Sequence, residues 1–320
     1  MSKLKYALYT GCTARESTPE LLSSTLAVAE KLGIELVLLD EASCCGASHL
    51  QDFDEFLSLV LNARNICYAE KLGLPMVTIC NTCQLNTVMT KERLDHDPEL
   101  KAKVNEKLAE VGLEYKGTST VRHFLYALID DYGLDNISEK VVKPLSHFNI
   151  APFYGCHNIR PSHIHYKHNM PQPDYEVSEG GGEVAYEEEG LMYKYTGENP
   201  YVPTSLERLI EALEGKSVEY ESKNKCCGFH VDLQAPKTSN ALTGTALSDA
   251  IDHGADVVVT PCPLCQLNMD LKQESAGKQL GREIEIPVLH MPQMVALALG
   301  CTPEQIGLKF NVTKATELYA

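Results

Sequence analysis

The chain has 320 residues, 44% of them hydrophobic, with 28 Lys and Arg against 44 Asp and Glu, giving a formal charge of −16. This balance suits a globular protein of two domains or one large one, and its acidity makes nucleic acid and anionic membrane poor electrostatic partners. No apolar run approaches the roughly 18–20 residues of a membrane span, so the chain is expected in the cytoplasm, where its 12 cysteines stay reduced and metal binding is favoured over a disulfide framework.

In chain order, residues 4–9 read as a short buried strand running into a loop that holds Gly11 and Cys12. A helix follows, with Thr18 as N-cap, Pro19 at its first position and Gly33 as C-terminal cap. A second strand at 34–39 leads to Cys44 and Cys45, a helical stretch at 53–72 stops at Gly73, and a third strand at 76–79 delivers Cys80. Strands alternating with helices predict an α/β fold with a parallel sheet covered on both faces. The cysteines then fall just beyond strand carboxyl ends, along one edge of the sheet, where helix N-termini can face an anionic group.

The second half repeats the first. Tyr9-Thr-Gly-Cys12 returns as Phe153-Tyr-Gly-Cys156, Cys80-Asn-Thr-Cys83 followed by Gln-Leu-Asn returns as Cys262-Pro-Leu-Cys265 followed by the same three residues, and Val121-Arg-His123 returns as Val288-Leu-His290. Two halves of common origin, 1–148 and 149–320, are the simplest account, each a Rossmann-like parallel sheet with a cysteine cluster at its strand ends.

Ten cysteines follow the repeat: Cys12, Cys44, Cys45, Cys80 and Cys83 in the first half, and Cys156, Cys226, Cys227, Cys262 and Cys265 in the second. Thirty-four residues separate Cys45 from Cys80 and Cys227 from Cys262 alike. Thiolates are soft ligands for zinc, copper(I) or iron–sulfur clusters. Structural zinc takes four ligands, commonly from paired Cys-x-x-Cys knuckles, and each half has one such knuckle. Adjacent residues in extended backbone point to opposite sides, so Cys44 and Cys45 suit different irons of a larger cluster better than one ion. Five thiols also exceed the four that an ordinary cubane uses. Zinc, in both halves or in one, remains the alternative.

These motifs, with Ala109-Glu-Val-Gly-Leu-Glu-Tyr-Lys-Gly117 and Ile286-Pro-Val-Leu-His290, resemble those of the catalytic B subunits of heterodisulfide reductase, a family with two CCG domains. The resemblance covers most of the chain. It implies an oxidoreductase acting on sulfur, with two noncubane [4Fe-4S] clusters, one per half, held by the two cysteine quintets. It also implies reductive cleavage of a disulfide between them, or its reverse, and electrons supplied by a small cubane iron–sulfur subunit and a flavin-containing iron–sulfur subunit. The cysteine pattern equally accommodates an electron-transfer subunit of a quinone-linked fumarate or succinate oxidoreductase or of a sulfur-oxidising complex. A zinc-binding protein without redox work is the remaining reading.

The second half departs from the first between Cys156 and Cys226, where 69 residues replace the 31 that separate Cys12 from Cys44. The excess lies at about 157–203, and residues 174–198 hold eight acids against the single base Lys194. A solvated surface excursion is expected there, with a docking arm or lid as the functional reading. Of the histidines, His123 and His290 are candidates for proton donation or for facing the clusters, weighed against a structural hydrogen bond at a strand-to-helix turn. His49 and His230, each close behind a Cys-Cys-Gly, are similar candidates. His157, His163, His165 and His168 read as a solvated patch, Arg15 and Arg160 as salt-bridging or substrate-facing, and Cys67 and Cys301 as buried free thiols.

Overall fold

A computed structural model describes residues 4–47, 49–159 and 203–315, together with the backbone of two strands at 183–188 and 191–196. The strands are β1 (Lys5–Tyr9), β2 (Glu35–Leu38), β3 (Met76–Thr78), β4 (Val121–His123), β5 (Asn149–Pro152), β6 (Glu183–Glu188), β7 (Leu191–Thr196), β8 (Lys216–Ser217), β9 (Val257–Thr260) and β10 (Val288–His290). Two four-stranded parallel sheets form, in the orders β2-β1-β3-β4 and β10-β9-β5-β8, while β6 and β7 pair as an antiparallel hairpin. Matching β5 to β1, β8 to β2, β9 to β3 and β10 to β4 makes the two orders identical, so the sequence repeat is a repeat of topology. The expected α/β fold with twin parallel sheets is the one found.

Burial explains the composition of the central strands. Ala7, Leu8, Val257 and Val258 are covered on both faces of their sheets, which suits near-continuous apolar runs rather than alternation. The helix Pro19–Leu32 ends at Gly33 with φ 70, as its sequence signals predict. Thr18 occupies the N-cap position, but its hydroxyl makes no capping bond and is buried. The helical stretch expected at 53–72 is two helices, Leu50–Phe53 and Glu55–Leu72, divided at Asp54, whose carboxylate accepts from Leu57 N at 2.9 Å and caps the second.

The halves do not pack as separate bodies. Beyond β4 the chain forms a helix at Phe124–Tyr126, a π-helical turn at Ala127–Gly133 and a helix at Leu134–Ser138, and the two helices pack against Ser205–Ala212 of the second half. Beyond β10 the helix Met291–Ala298 packs back on Pro19–Leu32 of the first. Each half thus lends its closing helix to the other, and both hydrophobic cores draw on both sheets, Leu8 sharing one with Leu289 and Ala7 the other with Val258. The sheets are held at a fixed distance and angle as a result, because sliding one past the other would open both cores. Among the described residues no helix is long and apolar enough to cross a membrane.

Candidate metal centre

Each cysteine group is set by its own local structure. Cys80 and Cys262 are extended N-cap residues of the helices Asn81–His96 and Pro263–Leu271, which places Cys83 and Cys265 in the first turn, at the positive end of the helix dipole. The two CCG loops are pinned from behind by the Asn of each Cys-Gln-Leu-Asn motif. Asn86 Nδ2 donates to Cys45 O at 3.3 Å and Ala47 O at 2.6 Å, and Asn268 Nδ2 donates to Cys227 O at 2.8 Å. Arg15 clamps the approach to the first of these loops, donating to Thr10 Oγ1 (2.8 Å), Leu39 O (3.0 Å) and Asp40 Oδ1 (3.2 Å), so it is spent within the fold.

The ten thiols form one continuous array. Cys12 Sγ lies 3.5 Å from Cys44 Sγ, Cys44 contacts Cys45, and Cys45 Sγ lies 3.6 Å from Cys83 Sγ. Beyond these two approaches the thiols interact electrostatically, Cys83 with Cys80, Cys80 with Cys262 of the other half, and Cys262, Cys265, Cys227, Cys226 and Cys156 in turn with one another. The middle is buried, whereas Cys12 and Cys44 at one end are exposed and Cys156 and Cys226 at the other are half-buried.

Such crowding governs the protons. Contacts with Cys44 and Cys83 hold Cys45 well below the usual thiol range, while contacts with Cys45 and Cys80 push Cys83 well above it. Contact with Cys262 likewise raises Cys80, and Cys262 is held down, against its burial, by Cys265 and Cys80. A stack of anions in a dry interior cannot all ionise unless a cation joins them. The donor inventory therefore fits a positively charged, sulfur-loving group.

The backbone leaves room for such a group's ligands. Gly11 (φ +68) and Gly155 (φ +67) occupy repeat-related positions, and a Cβ on either would sit 2.8 Å from Cys83 Sγ or Cys265 Sγ. Gly46 N and Gly228 N each lie 3.4 Å from a sulfur, Cys44 Sγ and Cys226 Sγ. Among the described residues no three His, Cys, Asp or Glu side chains are grouped closely enough to hold a single metal ion.

The histidines do more bridging than the sequence suggests. His123 is buried; its Nε2–H donates to Pro261 O at 3.0 Å and its Nδ1 accepts from Leu125 N at 3.1 Å, which fixes a neutral tautomer. Burial pushes its pKa down to about 4. Fully buried His290 meets Glu20 Oε1 of the first half through Nε2 at 3.2 Å. His157 is not solvated as expected. It is buried, with Nδ1 2.9 Å from Thr82 Oγ1, because the second half's first loop docks on the helix after Cys80. His230 stacks on it at 4.7 Å between ring centroids and lies 6.1 Å from His49, so the residues behind the two CCG loops meet. Cys67 and Cys301 are buried free thiols. Arg160, His163, His165, His168 and the acidic side chains at 174–198 lie outside the described residues.

Sequence reading passed over the polar seam between the halves. Asn81 Nδ2 donates to Tyr154 O at 2.8 Å, Asn158 Nδ2 donates to Asn81 Oδ1 at 2.9 Å, and Tyr126 OH donates to Asn158 Oδ1 at 2.5 Å, all buried. The signal available was position: Asn81 and Asn158 directly follow or nearly follow a motif cysteine.

Comparison with known proteins gives concordant results. The CCG cysteine-rich domain matches residues 6–87 and 191–270, two copies that together span half the chain. The 8-methylmenaquinol:fumarate reductase membrane anchor subunit of Wolinella succinogenes is 36% identical over 98% of this chain and 99% of its own length. The B subunit of a ferredoxin/F420H2-dependent CoB-CoM heterodisulfide reductase of Methanosarcina acetivorans is 32% identical over 99% of this chain and 96% of its own. A hypothetical protein from Helicobacter pylori shares the fold, with a TM-score of 0.73 at 17% identity over 98% of this chain; the chain spans about half of it, 52%.

Proposed function

The chain belongs to the CCG cysteine-rich domain family, as a two-copy member with heterodisulfide reductase B subunits among its relatives, and on that premise we propose that it is the sulfur-handling iron–sulfur subunit of a multi-subunit reductase, cleaving a disulfide reductively or forming one in reverse. The observation that carries this reading is the clustering of ten free thiols at the strand ends, six of them buried, with Cys12 and Cys44 exposed and Cys156 and Cys226 half-buried. Cys12, Cys44, Cys45, Cys80 and Cys83 would hold one [4Fe-4S] cluster, and Cys156, Cys226, Cys227, Cys262 and Cys265 the other, both of noncubane type. Bound there, the clusters would supply one-electron chemistry and iron positions open to substrate sulfur.

The chain's own residues do the rest. Helix starts at Asn81 and Pro263 stabilise negative charge on the thiolates, and the glycines at 11 and 155 let backbone lie against sulfur. The buried Cys80, Cys83, Cys262 and Cys265 exclude water from the centre of the array, so substrate approaches from the Cys12–Cys44 and Cys156–Cys226 ends. His123 and His290 have their Nε2 atoms engaged inside the fold, which favours a positioning role at the strand ends over proton donation. The thiol-rich composition suits a reducing cytoplasmic setting, with electrons arriving from a cubane iron–sulfur subunit and a flavin-containing one.

A second reading is favoured by the relative at 36% identity: an electron-transfer subunit of a quinone-linked fumarate reductase. Anaerobically purified protein with its neighbouring subunits separates the two. Thiol release from a disulfide supports the first reading, and quinone-analogue turnover with no disulfide cleavage replaces it with the second. Zinc without acid-labile sulfide, in either half, ends the iron–sulfur assignment for that half.

A further inference from the structure

The two most exposed large apolar side chains among the described residues are Phe53 and Leu233, each 89% accessible. They occupy related places in the repeat, Phe53 eight residues beyond Cys45 and Leu233 six beyond Cys227. Single exposed apolar residues are ordinary on a protein surface, but these two are drawn together. Phe53 ends the helix Leu50–Phe53, one turn after its N-cap His49, and so stands on the same side as that residue. Leu233 follows His230 by three residues along a chain that keeps turning beyond the 3-10 segment Phe229–Val231, which brings it back toward the side of that histidine. The rings of His49 and His230 lie 6.1 Å apart, so the two turns are neighbours. Neither turn needs its apolar side chains for packing, because neither has a fully buried residue. Phe56 and Leu57, exposed at the start of the helix Glu55–Leu72, extend the apolar surface on the first side, and Val231 does so on the second.

We propose that this patch, Phe53, Phe56 and Leu57 from the first half with Val231 and Leu233 from the second, is the docking surface for another protein subunit, one that offers apolar side chains within a rim of Lys and Arg. Charge selects that occupant. Residues 40–55 carry five acids, Asp40, Glu41, Asp52, Asp54 and Glu55, and no Lys or Arg. Arg15 and Arg93 pair with Asp40 and Glu55, and the other three leave the segment net negative. On the second side Lys272 pairs with Asp232. An anionic lipid surface is repelled by such a rim, and a second copy would bring acid against acid on a chain already at −16. A basic rim is attracted instead, which speeds encounter and fixes orientation, while the desolvated apolar side chains supply the affinity. A subunit seated here lies beside Cys44 and its neighbour Cys12, the exposed thiols of the first set, because the Cys-Cys-Gly loop leads directly into the helix that carries Phe53. Both halves contribute, so the surface exists only where the two loops meet.

The inference rests on the reading of this chain as one subunit of a complex, and not on its substrate. The probe is that complex, the full chain prepared anaerobically with its neighbouring subunits and compared with the isolated chain by hydrogen exchange and by binding affinity. Exchange at 50–57 and 229–235 is expected to slow in the complex. The double variant Phe53→Ser with Leu233→Ser is expected to keep its iron content and melting temperature yet bind about tenfold more weakly or worse, while Val111→Ser, also exposed but outside the patch, binds as wild type does. Asp52→Lys is expected to weaken binding at low ionic strength and to lose that effect at high. Unchanged exchange in the complex, or unchanged affinity in both the double variant and Asp52→Lys, would overturn the proposal. So would self-association of the isolated chain, or its binding to phosphatidylglycerol vesicles, if the double variant abolished either. Should the double variant lose iron, Asp52→Lys and the exchange pattern decide. A complex that shows the protection but cleaves no disulfide would leave the surface standing and remove the substrate reading, while a chain that binds none of its neighbouring subunits would remove the subunit reading and the surface together.

Discussion

Replacing Gly11 by Ala separates backbone strain from contact with sulfur. The residue sits at φ +68, where a side chain costs about 1–2 kcal/mol. Gly33, at φ +70, would cost the same, but its Cβ would meet nothing within 4 Å, whereas the Cβ on Gly11 would lie 2.8 Å from Cys83 Sγ. That distance is well inside the roughly 3.5 Å at which nonbonded contacts become favourable. The sulfur cannot swing aside, being buried and 3.6 Å from Cys45 Sγ. Overpacking of this kind costs about 1–3 kcal/mol, so Gly11→Ala should lose about 2–5 kcal/mol in all against about 1–2 for Gly33→Ala. On a total stability of about 5–15 kcal/mol the difference is measurable by denaturant unfolding. Iron analysis of anaerobically prepared protein supplies the specific readout, since Gly11→Ala should lose iron and Gly33→Ala keep it. Equal iron and equal unfolding midpoints in the two variants would refute the reasoning, because they would mean that Cys83 is free to move.

Further expectations concern other parts of the array and the seam. Because burial lowers the His123 pKa to about 4, the folded state binds fewer protons than the unfolded one between about pH 6.5 and 4. This histidine's contribution is therefore complete above about pH 6.5 and is lost as pH falls through about 4; the melting temperature of His123→Gln should depend less on pH across that window than that of wild type. Asn81→Ala removes the acceptor of Asn158 Nδ2 in the interior at a cost of about 1–3 kcal/mol, which chemical denaturation would register as a lowered midpoint. Cys44→Ser, at the exposed end, and Cys227→Ser, in the buried part, should each remove or convert one centre and abolish turnover; unchanged iron and activity in both would contradict the ligand assignment. Deleting residues 174–198 removes no motif cysteine and should leave the iron content as it was, so loss of iron would show that the stretch supports the second quintet.

Much of the fold was legible because it depends on local rules. Gly33 and Gly73 stop helices in the left-handed conformation that their position predicts, and the short apolar runs of β1 and β3 are buried strands as their sequence indicates. The helix boundary at Asp54 was not legible, because the apolar residues Phe53, Phe56 and Leu57 mimic helical periodicity while standing exposed. His157 was misread for a related reason. A histidine at the mouth of a long acidic insertion looks solvated until Thr82, from the other half, closes over it. For Arg15 the sequence left salt-bridging and substrate-facing roles open, and the path of the loop beyond β2 gives it the first, with Thr10, Leu39 and Asp40 as partners.

The amino-acid order alone determined the repeat, the parallel α/β character and the two sets of five thiols, since spacing and residue type are properties of the chain itself. Tertiary structure decided that each half closes with the other's helix and that His123 and His290 tie across the seam. The physical reason is that these are contacts between residues more than a hundred positions apart, such as His123 with Pro261 and Glu20 with His290. No periodicity records them; they exist only because two sheets share their cores and are thereby held together.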